Sequence, residues 1–393
     1  MKISEIASHI RERVPSTEIR AEDYVSTDNM RPNFGGIESS SSKPPPGNVT
    51  AYQVGDILLS NIRPYFRKTW LATHEGGCNA DVLCIRANPE KCVPKYLYYL
   101  FTTDNFVNDY LKSCKGAKMP RGDVQRLLDY EFDLPDLPTQ LRIAGVLGSI
   151  DEKIELNRKK IVELEALAKT IYDYWFVQFD FPDANGKPYK SSGGKMVWNE
   201  QLKRNVPEGW RIQKLAEIAD YLFGFPFDSS LFNSEGKGFP IVRIRNVKDG
   251  QTADFTTENA AREYIISNGD FLIGMDGYFD MNHWIGGNAY LVQRTCRIKA
   301  KEAAYAGWLA YAMYAPIKHL EKSLTGATLA HLGKAHLDEI WLPIPPLDAT
   351  NDALRTINNT IDRKVELGVE IQELTRERDF LLPLLMNGQV EVG

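Results

Sequence analysis

IDEKIELN, Ile150–Asn157, returns as IDRKVELG, Ile361–Gly368. Each copy sits inside a helical pattern, and roughly half the chain separates them. Around the first copy, Ile143, Leu147, Ile150, Ile154, Asn157, Ile161, Leu164, Ala168, Ile171 and Trp175 alternate in steps of four and three. That spacing is a heptad seam of roughly 33 residues, about 50 Å at the rise of an α-helix. Asn157 is its one polar member, and a lone amide in a seam fixes register at some cost in stability. Around the second copy the seam reads Leu354, Ile357, Ile361 and then Leu367, Ile371, Leu374, Leu381 and Leu385. Its phase slips near Gly368, which predicts a local unwinding or bend. Thr139 is the expected N-cap of the first helix, and Pro383 with Gly388 the expected end of the second. Stripes this narrow and long want a partner helix. Each is expected to pair antiparallel with the other, through Ile150, Ile154, Asn157 and Ile161 on one side and Ile361, Leu367, Ile371 and Leu374 on the other. An ordinary core helix is the alternative.

Working outward, the repetition extends through the chain. KISEIA at Lys2 returns as KLAEIA at Lys214, YVSTDNM at Tyr24 as IVRIRNV at Ile241, and GDILLS at Gly55 as GDFLIG at Gly269. CIRA ending at Ala87 matches RIKA ending at Ala300, KSCKGA at Lys112 matches KSLTGA at Lys322, and LPDLP at Leu134 matches LPIPP at Leu342. Single matches are weak, but a collinear series marks a domain-scale duplication. Short β-branched runs predict strands at Ile57–Leu59, Val82–Arg86, Ile241–Ile244 and Phe271–Ile273. One amphipathic helix is expected at Pro94–Lys112, with an echo at Ala304–Lys322. Ile37–Thr50 reads as an exposed loop and Pro182–Gly209 as a linker. The expected fold is α+β and pseudo-two-fold: two similar modules, 1–138 and 210–348, separated by two long antiparallel coiled-coil helices, 139–181 and 349–393, with 182–209 as the linker.

The 393 residues carry a net charge of −5, so any grip on nucleic acid must come from local positive charge or a partner. The acidic excess lies in the two helical segments, leaving the modules better placed to meet phosphate. The five cysteines form no close pair, which signals neither a disulfide framework nor a zinc site. No apolar run is long enough to cross a membrane, and MKISEIASHI has no secretory pattern, so a cytoplasmic protein is expected. KPPPG at Lys43 and IPPL at Ile344 lack the acid or amide and the aromatic of an adenine-methylating loop. No phosphate-gripping GxxxxGK(S/T) string occurs. FGGIE at Phe34, His331 with His336, and PDANGK at Pro182 read as ordinary loops. No catalytic, cofactor or metal residue is assigned.

Two modules, each followed by a long helix, resemble the specificity subunits of type I restriction–modification enzymes over nearly the whole chain. The phrases that carry the likeness include VPEGWRIQKLAEIA at Val206, FPIVRIRNVKDG at Phe239, IYDYWFVQFDFP at Ile171 and LLMNGQVEV at Leu384. The first module lacks the PEGW lead-in found at Pro207–Trp210. The resemblance implies a non-catalytic protein whose modules are target-recognition domains, each reading one half of a split site in double-stranded DNA. It implies that the helices set the unread spacer and dock two methyltransferase subunits, which bind S-adenosylmethionine, and that motor-nuclease subunits can join. A single-chain methyltransferase or nuclease, and a protein-only coiled-coil adaptor, are the competing readings.

Three places in each module suit DNA contact. The first follows the GD turn: Asn61, Arg63, Tyr65, Arg67 and Lys68, with Tyr278, Asn282 and His283 in the second module. Basic and aromatic residues interleaved there suit phosphate and base-edge contact, or a plain solvated hairpin. The second is the glycine loop after the amphipathic helix: Lys112, Ser113, Lys115, Lys118 and Arg121, against Lys322, Ser323, Thr325, Thr328 and His331. The third sets Arg243, Arg245 and Asn246 against Ser26, Asp28 and Asn29. The arginines could read guanine or simply coat a strand, and the aligned asparagines could serve a turn.

Overall fold

The computed structural model describes residues 1–38, 43–114, 116, 118–324 and 330–390. The chain divides into two compact units, Met1–Ile154 with Glu373–Gly393, and Glu155–Gln372. Both are mixtures of sheet and helix, built on one plan.

In the first unit, Ala7–Ile10, Val82–Ala87, Ile57–Ser60 and Thr69–Leu71 form an antiparallel sheet in that spatial order. In the second, Ala219–Phe223, Thr295–Ala300, Phe271–Gly274 and Met281–His283 form a sheet of identical order and direction. A smaller sheet accompanies each. Each contains a parallel pair, Tyr24–Val25 with Gly76–Cys78 at one edge of the first sheet and Phe239–Val242 with Ala289–Leu291 in the interior of the second. The edges differ. Asn48–Tyr52 and Arg13–Pro15 extend the first, so the expected loop 37–50 ends in a strand. Phe255–Thr256 and Phe232–Asn233 extend the second from the opposite side.

The repeated GD turn is framework. Gly55 and Gly269 sit at φ +88° and +91°, where a side chain would be strained. Asp56 accepts the Gln53 N–H and Asp270 the Ser267 N–H, each closing the turn. The carboxylate of Asp56, fully buried, also takes a bidentate pair from Arg86 at 2.7 Å. In the second unit Lys299 stands where Arg86 does, and Arg297, at the place of Cys84, reaches Asp270 at 3.6 Å.

Several boundaries differ from the sequence reading. The helix expected at Pro94–Lys112 is two, Pro94–Thr102 and Asp104–Lys112. Thr103 breaks it, its hydroxyl donating to Leu100 O and accepting the Phe106 N–H. The echo likewise splits into Ala306–Ala312 and Tyr314–Leu324. The run Ile241–Ile244 stays extended only to Val242, and Ile244–Val247 is a helical turn. The segment read as a linker carries a hairpin, Met196–Asn199 with Arg204–Pro207. Its neighbours Phe179 and Phe181 pack on Trp210, with ring centroids 5.1 and 5.6 Å apart.

The first long helix spans Leu137–Tyr172 and leaves through a π-helical turn, Asp173–Val177. Asp136, not Thr139, caps it, accepting the Thr139 N–H. The second spans Leu347–Met386. It runs through Gly368 without unwinding and continues past Pro383, ending just before Gly388 at φ +66°. A Cβ on Gly368 would lie 3.0 Å from Ile285. The slipped seam therefore marks a close approach. The helices run antiparallel. In the first unit Ile143 and Leu147 share a core with Leu381 and Leu385, and Arg378 pairs with Asp151 at 3.1 Å. In the second, Ile171 shares a core with Ile357 and Ile361, and Lys364 pairs with Glu165 at 2.6 Å. Of the expected pairing residues, Ile150, Ile154, Asn157, Ile361 and Leu367 are buried, and Ile161, Ile371 and Leu374 are partly so.

Candidate nucleic-acid interface

In each unit the loop after the GD strand is stitched to the loop after the amphipathic helices. In the first unit, Ile57–Ser60 is wholly buried and delivers the chain to Asn61. There Arg63 N–H donates to Pro120 O, Gly122 N–H donates to Asn61 O, and Ile62 bridges Arg121. In the second, Gly277 N–H donates to Ala330 O, Leu332 N–H donates to Met275 O, and Asp276 bridges His331. Two of the three sequence candidates thus form one surface in each module.

The side chains on it divide into braces and exposed groups. Asn61 is a brace, because its Oδ1 accepts the Tyr110 hydroxyl at 2.7 Å. Burial raises the pKa of Tyr110, so the donor stays protonated. Gly122 makes room for this contact: a Cβ there would stand 2.1 Å from the Tyr110 ring and hydroxyl. Pro64–Phe66 is a 3-10 turn held between Arg63 and Arg67, whose φ values are +47° and +54°. Two non-glycine residues in this region are strained, which a stitched loop can sustain. Arg67 pairs with Asp104 at 2.7 Å, and the Lys68 ammonium donates to Thr27 O at 2.6 Å. Arg63, Tyr65, Lys112, Lys118 and Arg121 are exposed. Arg121 also pairs with Asp81 at 2.7 Å.

In the second unit Tyr278 stands out to solvent, while Asn282 and His283 turn inward. Asn282 donates to Lys248 O and accepts from Lys364. Burial, with Lys364 beside it, lowers the His283 pKa to about 3. The His283 ring lies against Phe271, with centroids 5.1 Å apart, and both Asn282 and His283 are half-buried and engaged within the unit. Lys322 is exposed. Lys115, Thr325 and Thr328 lie outside the described residues. Asp276, which sequence reasoning missed, holds His331 at 2.6 Å and Arg294 at 2.8 Å. Arg294 and Asp81 both directly precede matched strands, Thr295–Ala300 and Val82–Ala87, so aligning the repeat could have found them.

The third candidate changes character. Asn29 Oδ1 accepts the Ser26 N–H at 2.7 Å, and Asn246 Oδ1 accepts the Arg243 N–H at 2.8 Å. The matched asparagines therefore cap equivalent turns. Asp28 lends its backbone N–H to Ser26 Oγ in the same turn. Arg243 lies over the Phe232 ring, and Arg245 pairs with Asp254. Four arginines of these surfaces, Arg67, Arg121, Arg245 and Arg294, are thus carboxylate-held. Such pairing keeps forks preorganised and explains how a near-neutral module can carry several of them.

No cluster of metal-ligating groups and no membrane-length apolar helix occurs among the described residues. A family model described as the type I restriction modification DNA specificity domain matches residues 1–166 and again 207–374. The MjaIX specificity subunit of Methanocaldococcus jannaschii is 24% identical over 360 residues, covering 88% of this chain and 80% of that protein. The HindI specificity subunit of Haemophilus influenzae is 20% identical, covering 93% of this chain and 94% of that one. Among solved structures, the type I restriction-modification S subunit from M. genitalium aligns with a TM-score of 0.62 at 16% identity, over 98% of this chain and 95% of its own. That likeness is one of fold. The double family match meets the double architecture unit by unit: the chain belongs to the type I restriction–modification DNA specificity family.

Proposed function

We propose that the chain is the DNA-reading subunit of a type I restriction–modification complex, with each module reading one half of a bipartite site. The observation that carries this is the stitched two-loop surface, repeated on one framework with different side chains: Arg63, Tyr65 and Arg121 in one copy, Tyr278, Arg294 and His331 in the other. Shared framework with unshared loops suits two half-sites of different sequence. The long helices set the unread spacer. At 36 and 40 residues they are about 54 and 60 Å long. They also dock two methyltransferase subunits, which bring S-adenosylmethionine and methylate adenine at N6. Motor-nuclease subunits using ATP join for cleavage. The complex works in the cytoplasm. The chain's own part is to bind and orient the duplex.

The net charge of −5 leads to weak binding by the chain alone and tight, salt-dependent binding with the methyltransferase. Salt titration of DNA affinity with and without the co-expressed partner tests this. Salt-independent or absent binding in both states would return the reading to a protein-only adaptor. DNA modification by the isolated chain with S-adenosylmethionine would point to an enzyme.

A further inference from the structure

The tips of the two stitched surfaces each carry an exposed tyrosine, one residue out of register: the stitches set Arg63 against Gly277, hence Pro64 against Tyr278 and Tyr65 against Phe279. Tyr278 is 78% exposed and Tyr65 is 49% exposed. Each lies in the short turn that joins an interior strand of its antiparallel sheet to the edge strand, Ile57–Ser60 to Thr69–Leu71 and Phe271–Gly274 to Met281–His283. The aromatics that flank these tyrosines differ between the copies, and the ring that matches Tyr65 in register is Phe279. Phe279 is fully buried and anchors the turn, its N–H donating to Glu321. Phe66 stays outside and lies against Tyr65, with ring centroids 4.7 Å apart. A ring held in water on a turn with two backbone stitches gains nothing for folding. Left-handed backbone at Arg63 and Arg67, and at Gly277, fixes where each ring stands. A cation accompanies each ring: Arg63 on the loop itself in one copy, and in the other Arg294, which precedes the strand Thr295–Ala300 and is tied to the loop through Asp276 at 2.8 Å.

The geometry points to Tyr65 and Tyr278 as base-stacking wedges, each covering a partly unstacked base step in the half-site read by its module. This rests on the DNA-reading role proposed above and adds a mechanism to it. A rigid ring can occupy the space that opens when neighbouring bases separate, while the nearby arginine holds a phosphate. The module would then recognise how easily a step opens as well as base edges. A hydrogen-bonding tyrosine is the competing role, and it depends on the hydroxyl instead of the ring.

The test uses the complex of the full chain with its methyltransferase and a duplex carrying its methylated motif, with 2-aminopurine placed in turn along each half-site. The wedge predicts that Tyr278→Ala weakens binding by about 5- to 150-fold and abolishes a fluorescence rise in one half-site only. Tyr278→Phe should retain both, and a mismatch at the responsive step should restore binding to the alanine variant. Tyr65→Ala should do the same in the other half-site. Unchanged affinity and fluorescence in both alanine variants would overturn the wedge, as would phenylalanine failing as badly as alanine. Failure of the parent complex to prefer its motif would instead overturn the DNA-reading role. Thermal melting guards against misfolding and should not move, because these rings are exposed.

Discussion

Gly122→Ala tests how the first reading surface is built. The added methyl would sit 2.1 Å from Tyr110, where ordinary contact begins at 3.4 Å, so something must move by over an ångström. The ring of Tyr110 is buried and stacked on Phe106, with centroids 5.9 Å apart and planes 12° from parallel. It cannot retreat without disturbing the module core. The overlap costs about 1–3 kcal/mol, and loss of the hydroxyl bond to Asn61 adds about 1 kcal/mol. The expected total is about 2–4 kcal/mol, concentrated where Gly122 N–H meets Asn61 O. Tyr110→Phe should cost only the hydrogen-bond share. Hydrogen exchange should show amides 61–67 and 120–123 losing protection in Gly122→Ala, with residues 275–279 unchanged. Methylated-site mapping should show one half-motif relaxed and the other intact. Full protection of residues 61–67 in the variant, or loosening of both half-motifs together, would refute the proposed coupling.

Two further outcomes follow from buried polar groups. Both amide atoms of Asn157 are buried without a hydrogen-bond partner, and so is Nε2 of Gln372. Asn157→Leu should therefore raise stability to denaturant by about 1–3 kcal/mol, and a loss of stability would show that the amide is satisfied in solution. His283, held neutral by burial with its pKa near 3, binds its proton more readily when unfolded, at the ordinary 6.5. Its contribution is present above pH 6.5 and drains away as pH falls toward 3, about 1–2 kcal/mol by pH 5. In His283→Gln the acid limb of the stability profile should flatten over that range, and an unchanged limb would assign the sensitivity to other groups.

The long helices were legible because a heptad seam survives whatever packs on it: Ile150 and Ile154 are buried as their spacing required. What misled was local chemistry that competes with pattern. Ile241–Ile244 reads as a strand, yet Asn246 caps back onto Arg243 and turns Ile244–Val247 into helix. Amphipathic spacing continues across Thr103, so the break made by its hydroxyl leaves no periodic trace. Gly368 looked like a hinge because sequence cannot show Ile285 beside it. The candidate surface was half visible. Loop composition singled out two segments that the fold joins in each unit, but only the fold shows that Asn61 braces Tyr110, that His283 packs against Phe271, and that Asp276 joins His331 to Arg294.

One duplicated framework that reads two separate half-sites must let each half be exchanged on its own. Methyladenine mapping in cells that express the chain with its methyltransferase, before and after residues 1–138 are exchanged for another such module, measures this directly. A motif of two short blocks separated by an unread gap, with only one block altered by the exchange, is the predicted result. An undivided motif, or an exchange that rewrites both blocks, would contradict it.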